Sequence, residues 1–245
     1  MEFTDKIIVV TGGTRGIGRA VSLLFANKGA HVFAAYLNND AAAQALVEEA
    51  KGMAGTISVL RADVATSDGA QALINAASQG AGHIDVLVNN AGIIRDGYLA
   101  MMSDDDWDAV MRTNLQPLFH CCKWGVRRMM GRRSGSIITI SSVSAITGAI
   151  GQTNYAASKG AAVSFSKSLA REVGPMGIRV NTVVAGLIAT DMTAGLKQDV
   201  VDRIVKGSSL GRAGRPEEVA AMVAHLASGD GGFVTGQIIA VAGGD

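Results

Sequence analysis

Short apolar runs rich in valine and isoleucine recur along the chain at 6–10, 31–35, 56–60, 84–88, 136–140, 178–184 and 238–241, with longer alanine-rich stretches between them. Runs so short and so continuously apolar predict strands buried on both faces. Their alternation with helical spacers predicts βαβ units. The expected fold class is therefore α/β, a Rossmann-type doubly wound sheet of seven parallel strands with helices on both faces. Helix starts are signalled by Thr66-Ser67-Asp68 before 69–79, by Ser103-Asp104-Asp105-Asp106 before Trp107, and by Pro216-Glu217-Glu218 before 219–227. The stretch 185–197 is the least periodic and reads as a loop, followed by a short helix over 198–206. In an open α/β sheet ligands sit at the carboxyl ends of the strands, so 186–207, directly after the sixth strand, is expected to act as a mobile substrate loop. No repeat or Pro/Ser-rich linker divides the chain, and 1–245 is expected to be a single domain.

Charge narrows the classes of function. Lys and Arg number 22 against 21 Asp and Glu, a formal net charge of +1, which gives no electrostatic case for nucleic-acid binding. Glycine stands at 31 against 3 prolines, and with 48% hydrophobic residues that excess points to tight turns and close backbone approaches rather than disorder. The two cysteines, Cys121 and Cys122, are adjacent and form neither a disulfide framework nor a CxxC motif. A reduced, cytoplasmic setting is expected. The first residues carry acids and then a short apolar run, unlike a signal or transit peptide, and no apolar stretch approaches the roughly 18 residues of a membrane span. His31, His83, His120 and His225 are scattered without metal-ligand spacing, so no metal is expected. Trp107 and Trp124 fall in two helical segments between the fourth and fifth strands, where core packing is the expected role and an interface anchor the alternative.

The first strand runs into Thr11-Gly12-Gly13-Thr14-Arg15-Gly16-Ile17-Gly18-Arg19 and then a helical stretch. Gly12, Gly16 and Gly18 permit a tight turn, let the backbone approach a pyrophosphate and bring helix against strand; Thr14, Arg15 and Ile17 belong to the same anion-binding helix start. The spacing is GxxxGxG rather than GxGxxG, and a glycine turn by itself can be only a turn. The second strand should end near an adenosine ribose, where an NAD-selective site places an acid for the 2′-hydroxyl. Here Tyr36-Leu37-Asn38-Asn39 follows, with no acid before Asp40. Without a carboxylate to repel a 2′-phosphate, and with Arg15 to attract it beside Asn38, NADPH/NADP+ is the expected cofactor. The alternative is a solvated Arg15 and a tolerant site. Asp63-Val64 after the third strand and Asn89-Asn90-Ala91-Gly92 after the fourth lie where further cofactor contacts belong, although Asn-Asn is also ordinary turn chemistry.

Ser142 follows the fifth strand, and Tyr155-Ala156-Ala157-Ser158-Lys159 lies in a helical stretch. Positions i and i+4 share one helix face, so the Lys159 ammonium can lie beside the Tyr155 phenol. A free phenol, with pKa about 10, is a poor proton donor near neutrality, and a neighbouring cation should lower it.

The glycine turn at 12–18, Asn89-Asn90-Ala91-Gly92, Ser142 and Tyr155-x-x-x-Lys159, in that order and over essentially the whole chain, resemble the short-chain dehydrogenase/reductase family. The resemblance implies a catalytic tetrad of Asn114, Ser142, Tyr155 and Lys159. Tyr155 would protonate a carbonyl oxygen, Ser142 would hold that oxygen, Lys159 would tune the phenol and hold the nicotinamide ribose, and Asn114 would support a relay water. It also implies cofactor contacts at Gly186, Ile188 and Thr190, and substrate contacts at Ser142, Gln152 and Tyr155.

Within that family the chain is most similar to the 3-oxoacyl-(acyl-carrier-protein) reductases, through the stretches 89–97, 151–159, 165–173 and 190–193. That implies an NADPH-dependent reduction of a β-keto thioester on acyl carrier protein or CoA, by a homotetramer or homodimer. The acidic carrier should meet a positive patch, and Arg127, Arg128, Arg132 and Arg133 cluster before the fifth strand, with Arg132 and Arg133 the docking candidates. Three departures stand out: Met176 where a second docking arginine is common, Ala185-Gly186 for Pro-Gly, and an end at Ala242-Gly243-Gly244-Asp245 without the usual apolar tail. Alternatives are an acetoacetyl-CoA reductase, suggested by 188–192 and 198–201, a polyketide-type ketoreductase, another carbonyl or alcohol oxidoreductase, and a non-catalytic dinucleotide sensor.

Overall fold

The computed structural model describes residues 2–244, so the expectation resting on the terminal Asp245 lies outside the described residues. Among these residues seven parallel strands form one sheet, in the order β3-β2-β1-β4-β5-β6-β7. They are β1 Ile7–Thr11, β2 His31–Tyr36, β3 Thr56–Arg61, β4 Val86–Asn89, β5 Gly135–Ser142, β6 Ile178–Ala185 and β7 Ile238–Val241. The expected α/β doubly wound sheet is the architecture found.

Continuous apolar runs arise because both faces of each strand are covered. Ile8 and Val10 of β1 pack into one cluster with Phe25 of α1 (Gly16–Asn27), Leu46 of α2 (Asp40–Glu49) and Val223 of α8 (Pro216–Ala227). Ile7 and Val9 point the other way, to Leu73 of α3 (Ser67–Ser78), Cys122 of α4 (Asp104–Met130) and Ala162 of α6 (Thr153–Val173). The short α5 (Ser144–Thr147) and α7 (Gln198–Gly207) lie outside these layers, after β5 and β6. No helix among the described residues is long and apolar enough to cross a membrane.

Helices begin where their caps are written. Thr66 Oγ1 accepts from Gly69 N at 3.1 Å, Ser103 Oγ from Asp106 N at 3.1 Å, and Glu218 Oε2 from Arg215 N at 2.7 Å. Three expectations need correction. Trp107 and Trp124 lie on one continuous helix, α4, although Pro117 inside it removes a backbone donor; a buried face from Val110 through Leu118 and Cys121 to Met129 holds the helix through that position. Trp107 is 37% exposed and no core residue, whereas Trp124 packs on the second cluster, under Arg127 at 4.6 Å. Ser142 is the last residue of β5 and Ala185 the last of β6, because both strands pair in register to that end.

The order turns back at β1: the chain builds β2 and β3 on one side, then returns to β4 on the other. A crevice opens between the carboxyl ends of β1 and β4, where open α/β sheets bind ligands. At the amino end of β6 Arg179 donates to Leu226 O (2.6 Å), Val234 O (3.3 Å) and Ser228 O (3.2 Å), tying the end of α8 to the sheet. Burial lowers its pKa, yet these carbonyls at a helix C-terminus suit a cation. Arg179→Met is expected to destabilise the fold by about 2 kcal/mol, since it strands buried acceptors; an unchanged urea midpoint would refute this.

Candidate active site

Helix α1 starts at Gly16 with Arg15 as N-cap in extended backbone and no side-chain cap, so the first-turn N–H groups face the crevice. Gly12 sits at φ +61°, and a Cβ on Gly18 would stand 2.2 Å from the Gly12 carbonyl oxygen. Backbone is therefore exposed where side chains are excluded. Ser22 Oγ, unremarked in the sequence, braces the turn by donating to Gly13 O and Gly18 O, both at 2.9 Å. Its signal was available as a hydroxyl one turn beyond Gly18.

Asn90 staples β4 to this turn. Its Nδ2 donates to Thr11 O and Gly12 O at 3.1 Å each, while Asn90 N and Ala91 N donate to Thr11 Oγ1 at 3.0 and 3.1 Å. Gly92 follows against the catalytic groups: a Cβ there would lie 3.1 Å from Asn114 Oδ1 and 3.4 Å from Lys159 Nζ. Thr14 is buried in the turn and Ile17 packs on the first cluster. Asp63 caps the turn after β3 through Ala65 N at 3.0 Å and faces Arg112, while Val64 is core. Asn38 is exposed at the end of the β2 edge.

Gly186 donates its N–H to Val241 O, and a Cβ there would meet Ala242 Cα at 2.8 Å, so its glycine serves strand packing. Ile188 is buried, and Thr190 comes beside the first turn of α1, within 3.3 Å of where a Gly16 Cβ would stand. At the far end, Arg61 was missed. Its Nε donates to Leu37 O at 3.0 Å and its guanidinium lies 3.9 Å from Asp40, which also accepts from Tyr36 OH. Its signal is the parallel register, which sets Arg61 directly beside Tyr36.

The candidate tetrad converges at the carboxyl end of β5. Asn114 ties three elements: its Oδ1 accepts from Ile93 N (2.8 Å), and its Nδ2 donates to Ile93 O (3.2 Å) and Ser158 Oγ (2.9 Å). Ser158 in turn donates to Tyr155 O at 2.8 Å. Lys159, only 7% exposed, donates from Nζ to Ile140 O at 2.9 Å. Its pKa is pushed down to about 8, because burial disfavours the ammonium.

The expected depression of the Tyr155 phenol by Lys159 is not what the geometry gives. Burial raises the phenol to about 12, an effect only partly offset by its hydrogen bond with Ser142 and reinforced by the Asp96 carboxylate. The ammonium is 5.8 Å from the ring centroid and turned to the Ile140 carbonyl. Burial thus favours the protonated phenol at Tyr155. Gln152 lies beside the pair, accepting from Ser144 Oγ at 2.8 Å and donating to Asp96.

Arg132 and Arg133, the two docking candidates, do not join this cluster. They stand, exposed, before the first residue of β5, with Arg132 against His83 and Arg133 against Pro175 O. Arg128 bonds Asn75 Oδ1 at 2.8 Å. Cys121 and Cys122 are buried small hydrophobes whose thiols burial pushes up, Cys122 to about 12.

The family model described as enoyl-(acyl carrier protein) reductase matches residues 12–245. Proteins named 3-oxoacyl-(acyl-carrier-protein) reductase are similar over nearly their full length. That of Chlamydia pneumoniae is 44% identical over 100% of this chain and 98% of its own. That of Thermotoga maritima is 41% identical over 100% and 99%, and that of Vibrio harveyi 40% over 100% and 98%. The chain belongs to the short-chain dehydrogenase/reductase family. A nicotinamide dinucleotide is the cofactor that membership implies. The residues present fit it: the glycine turn is open where a Cβ would fill it, and the α1 N-terminus is aimed at an anion.

Burial of Lys159 sets a pH-dependent cost in this short-chain dehydrogenase/reductase. With the folded pKa near 8 and the unfolded one near 10.4, the unfolded chain binds more protons between them, so the cost is full below about pH 8 and fades above it. Lys159→Met is expected to stabilise the fold by about 1–2 kcal/mol at neutral pH, after the loss of the Ile140 contact. The gain should shrink as pH rises toward 10. Thermal unfolding across that range checks the sign, and a lowered Tm at pH 7 would contradict it.

Proposed function

We propose that the chain reduces the 3-oxo group of an acyl thioester to the 3-hydroxyacyl product, with NADPH as reductant and acyl carrier protein or CoA carrying the acyl group. The single observation that carries this reading is the convergence of Asn114, Ser142, Tyr155 and Lys159 at the carboxyl end of β5, two strands along the sheet from the glycine turn, in a frame tied by Asn114 Nδ2 to Ser158, by Ser158 to Tyr155 O and by Lys159 Nζ to Ile140 O. The names of the full-length relatives supply the substrate class.

The bound dinucleotide supplies hydride to the carbonyl carbon. Ser142 Oγ–H donates a hydrogen bond to the carbonyl oxygen and stabilises the charge growing there. Tyr155 transfers its proton to that oxygen, so hydride on carbon and proton on oxygen together make the alcohol. Lys159, with a pKa near 8 beside a phenol near 12, returns a proton to Tyr155 downhill. Its ammonium, 3.4 Å from where a Gly92 side chain would begin, also faces the nicotinamide end of the crevice. Asn114 holds the β4 loop against α6 through Ile93 and Ser158, and the second lone pair of its Oδ1 is available to support the relay water.

For the cofactor, Arg15 on the glycine turn and Arg61 beside Leu37–Asp40 supply cations for a 2′-phosphate at the end of β2. The acyl chain has an apolar rim to meet: Tyr98, Leu99, Met101, Ile146, Ile150 and Met192 are all exposed, on loops after β4, β5 and β6. The segment 186–207 serves as the substrate loop of a single catalytic domain; every residue of α7 is at least partly exposed, so little packing opposes its movement. The carrier docks at Arg132 and Arg133. Exposed Phe119 and Trp107 on α4 offer a surface for further copies, as a homodimer or homotetramer in the cytoplasm.

Tyr155→Phe is expected to lower kcat about 10³-fold with dinucleotide Kd unchanged, measured as NADPH oxidation with acetoacetyl-CoA and with a carrier-bound 3-oxoacyl thioester. Turnover of a 2-enoyl thioester in place of the 3-oxo compounds would overturn the substrate class. Arg15→Ala and Arg61→Ala should each cut the NADPH-over-NADH ratio of kcat/KM about tenfold, the value of one charge-assisted contact; equal use of both dinucleotides by the wild type would defeat the NADPH assignment. Reversing the charges of Arg132 and Arg133 should raise KM for the carrier-bound substrate and leave that for the CoA ester, and equal effects would remove the docking patch.

A further inference from the structure

We propose that Asp96 is a positioning residue: it fixes the direction of a hydrogen-bond chain through Gln152 and Ser144 to Ser142, and so aims the Ser142 hydroxyl. This rests on the reading of Ser142 and Tyr155 as the pair that acts on a carbonyl oxygen.

The direction follows from what each group can do. A carboxylate only accepts, so the Gln152 amide must present Nε2 to Asp96, at 3.2 Å from Oδ1 and 3.0 Å from Oδ2. Turned over, the amide would set its oxygen against the carboxylate. Gln152 Oε1 therefore faces inward, where it accepts the hydrogen of Ser144 Oγ at 2.8 Å. With that hydrogen spent, Ser144 Oγ can only accept, and Ser142 Oγ donates to it at 3.3 Å. Ser144 N donates back to Ser142 Oγ at 3.2 Å.

Two consequences reach the reacting atoms. The Ser142 hydrogen is held by the longest bond in the chain, so a carbonyl oxygen in the site takes it at small cost. No hydroxyl donates into Ser142 Oγ from the Ser144 side, which leaves a lone pair on it open toward the neighbouring Tyr155 phenol. A neutral group at 96 frees Gln152 to turn, Ser144 then donates inward, and the Ser142 lone pair is contested.

The chain also carries charge. The charged groups facing Tyr155 are Asp96 from the loop after β4 and Lys159 from its own helix α6, while β5 contributes the uncharged Ser142. The Asp96 anion raises the phenol, in the sense that keeps it protonated. The loop does not depend on the carboxylate for its place, since Gly97 N donates to Gly151 O and Asn154 Nδ2 to Arg95 O, both at 2.8 Å. Asp96→Asn thus changes polarity and charge with the backbone held.

Two readouts test this. The first is kcat and its pH profile for 3-oxoacyl thioester reduction. The second needs no substrate: ¹³C NMR titration of the tyrosine Cζ atoms, with the Tyr155 signal identified among the three tyrosines by Tyr155→Phe. Asp96→Asn is expected to lower kcat about tenfold, the loss of one well-aimed hydrogen bond, with dinucleotide Kd unchanged. Both the basic limb of the profile and the Tyr155 titration should move to lower pH. Asp96→Glu should restore the titration, and Ser144→Ala, which cuts the chain while keeping the anion, should lower kcat with the titration in place. Wild-type kcat and titration in Asp96→Asn overturn the proposal, as does a fall in kcat with no shift of the phenol, which would assign Asp96 to loop packing. If Tyr155→Phe retains full activity the acid assignment itself fails; if that variant is dead and Asp96→Asn is normal, only the present inference falls.

Discussion

Helix α1 can lie where it does only because Gly18 has no side chain, for a Cβ would stand 2.2 Å from the Gly12 carbonyl. That approach brings the helix N-terminus onto the end of β1, and the rest of the site is hung from it in sequence. The turn's carbonyls are taken by Asn90 Nδ2, which fixes the end of β4. The loop after β4 then passes so close to Asn114 and Lys159 that a Cβ at position 92 would stand 3.1 Å from Asn114 Oδ1 and 3.4 Å from Lys159 Nζ, a tight fit that presses on the Asn114 amide. Asn114 passes the constraint to α6 through Ser158, and so to the Tyr155 backbone. The glycine turn and the Tyr155 phenol, on distant stretches of chain, are thereby parts of one rigid frame, as a constellation that must hold its geometry requires.

Inside that frame the fold accepts an electrostatic cost. Lys159 and Tyr155 are pushed in opposite directions by the same burial, the ammonium down to about 8 and the phenol up to about 12. Each shift favours the neutral form. A neutral phenol is the form that donates, and an ammonium poised near 8 is one that releases its proton readily, so the proposed direction of proton flow toward a carbonyl oxygen agrees with the burial. Replacing such groups by apolar ones commonly stabilises a fold while abolishing its chemistry.

The fold was legible because its signal is redundant. Seven apolar runs each repeat the same message, and caps such as Thr66 and Ser103 mark the helices independently. One error fell between the fourth and fifth strands, where two helical segments were expected and one helix runs: a buried stripe from Val110 to Met129 carries α4 through Pro117, outweighing one lost backbone bond. Residue types at the site were legible for the same reason that motifs are, namely that chemistry restricts them. What spacing along the chain does not carry is partnership across it. Asn90 and Asn114 were visible as names, but that their amides are spent on the turn and on Ser158 depends on contacts across tens of residues. Arg61 and Asp96 escaped notice similarly, one meaningful only through its register with Tyr36 and the other only through Gln152.

Depth within the molecule separates the reaction from its substrate. The groups proposed to move hydrogen are buried or half-buried and tied by bonds of 2.7–3.3 Å to the sheet and to their neighbours. The groups that would meet an acyl chain are exposed, with Ile150 at 82% and Met101 at 86%. Apolar surface left open in this way releases about 25 cal/mol per Å² when a ligand covers it, and it lies on the loops after β4 and β5 and next to the loosely packed 186–207 segment. If an acyl chain is the substrate, as proposed, its binding energy is available to draw that segment down over the site. In such an arrangement a longer chain improves closure around the carbonyl as well as affinity, because energy gained far from the reacting atoms is used to exclude water from them.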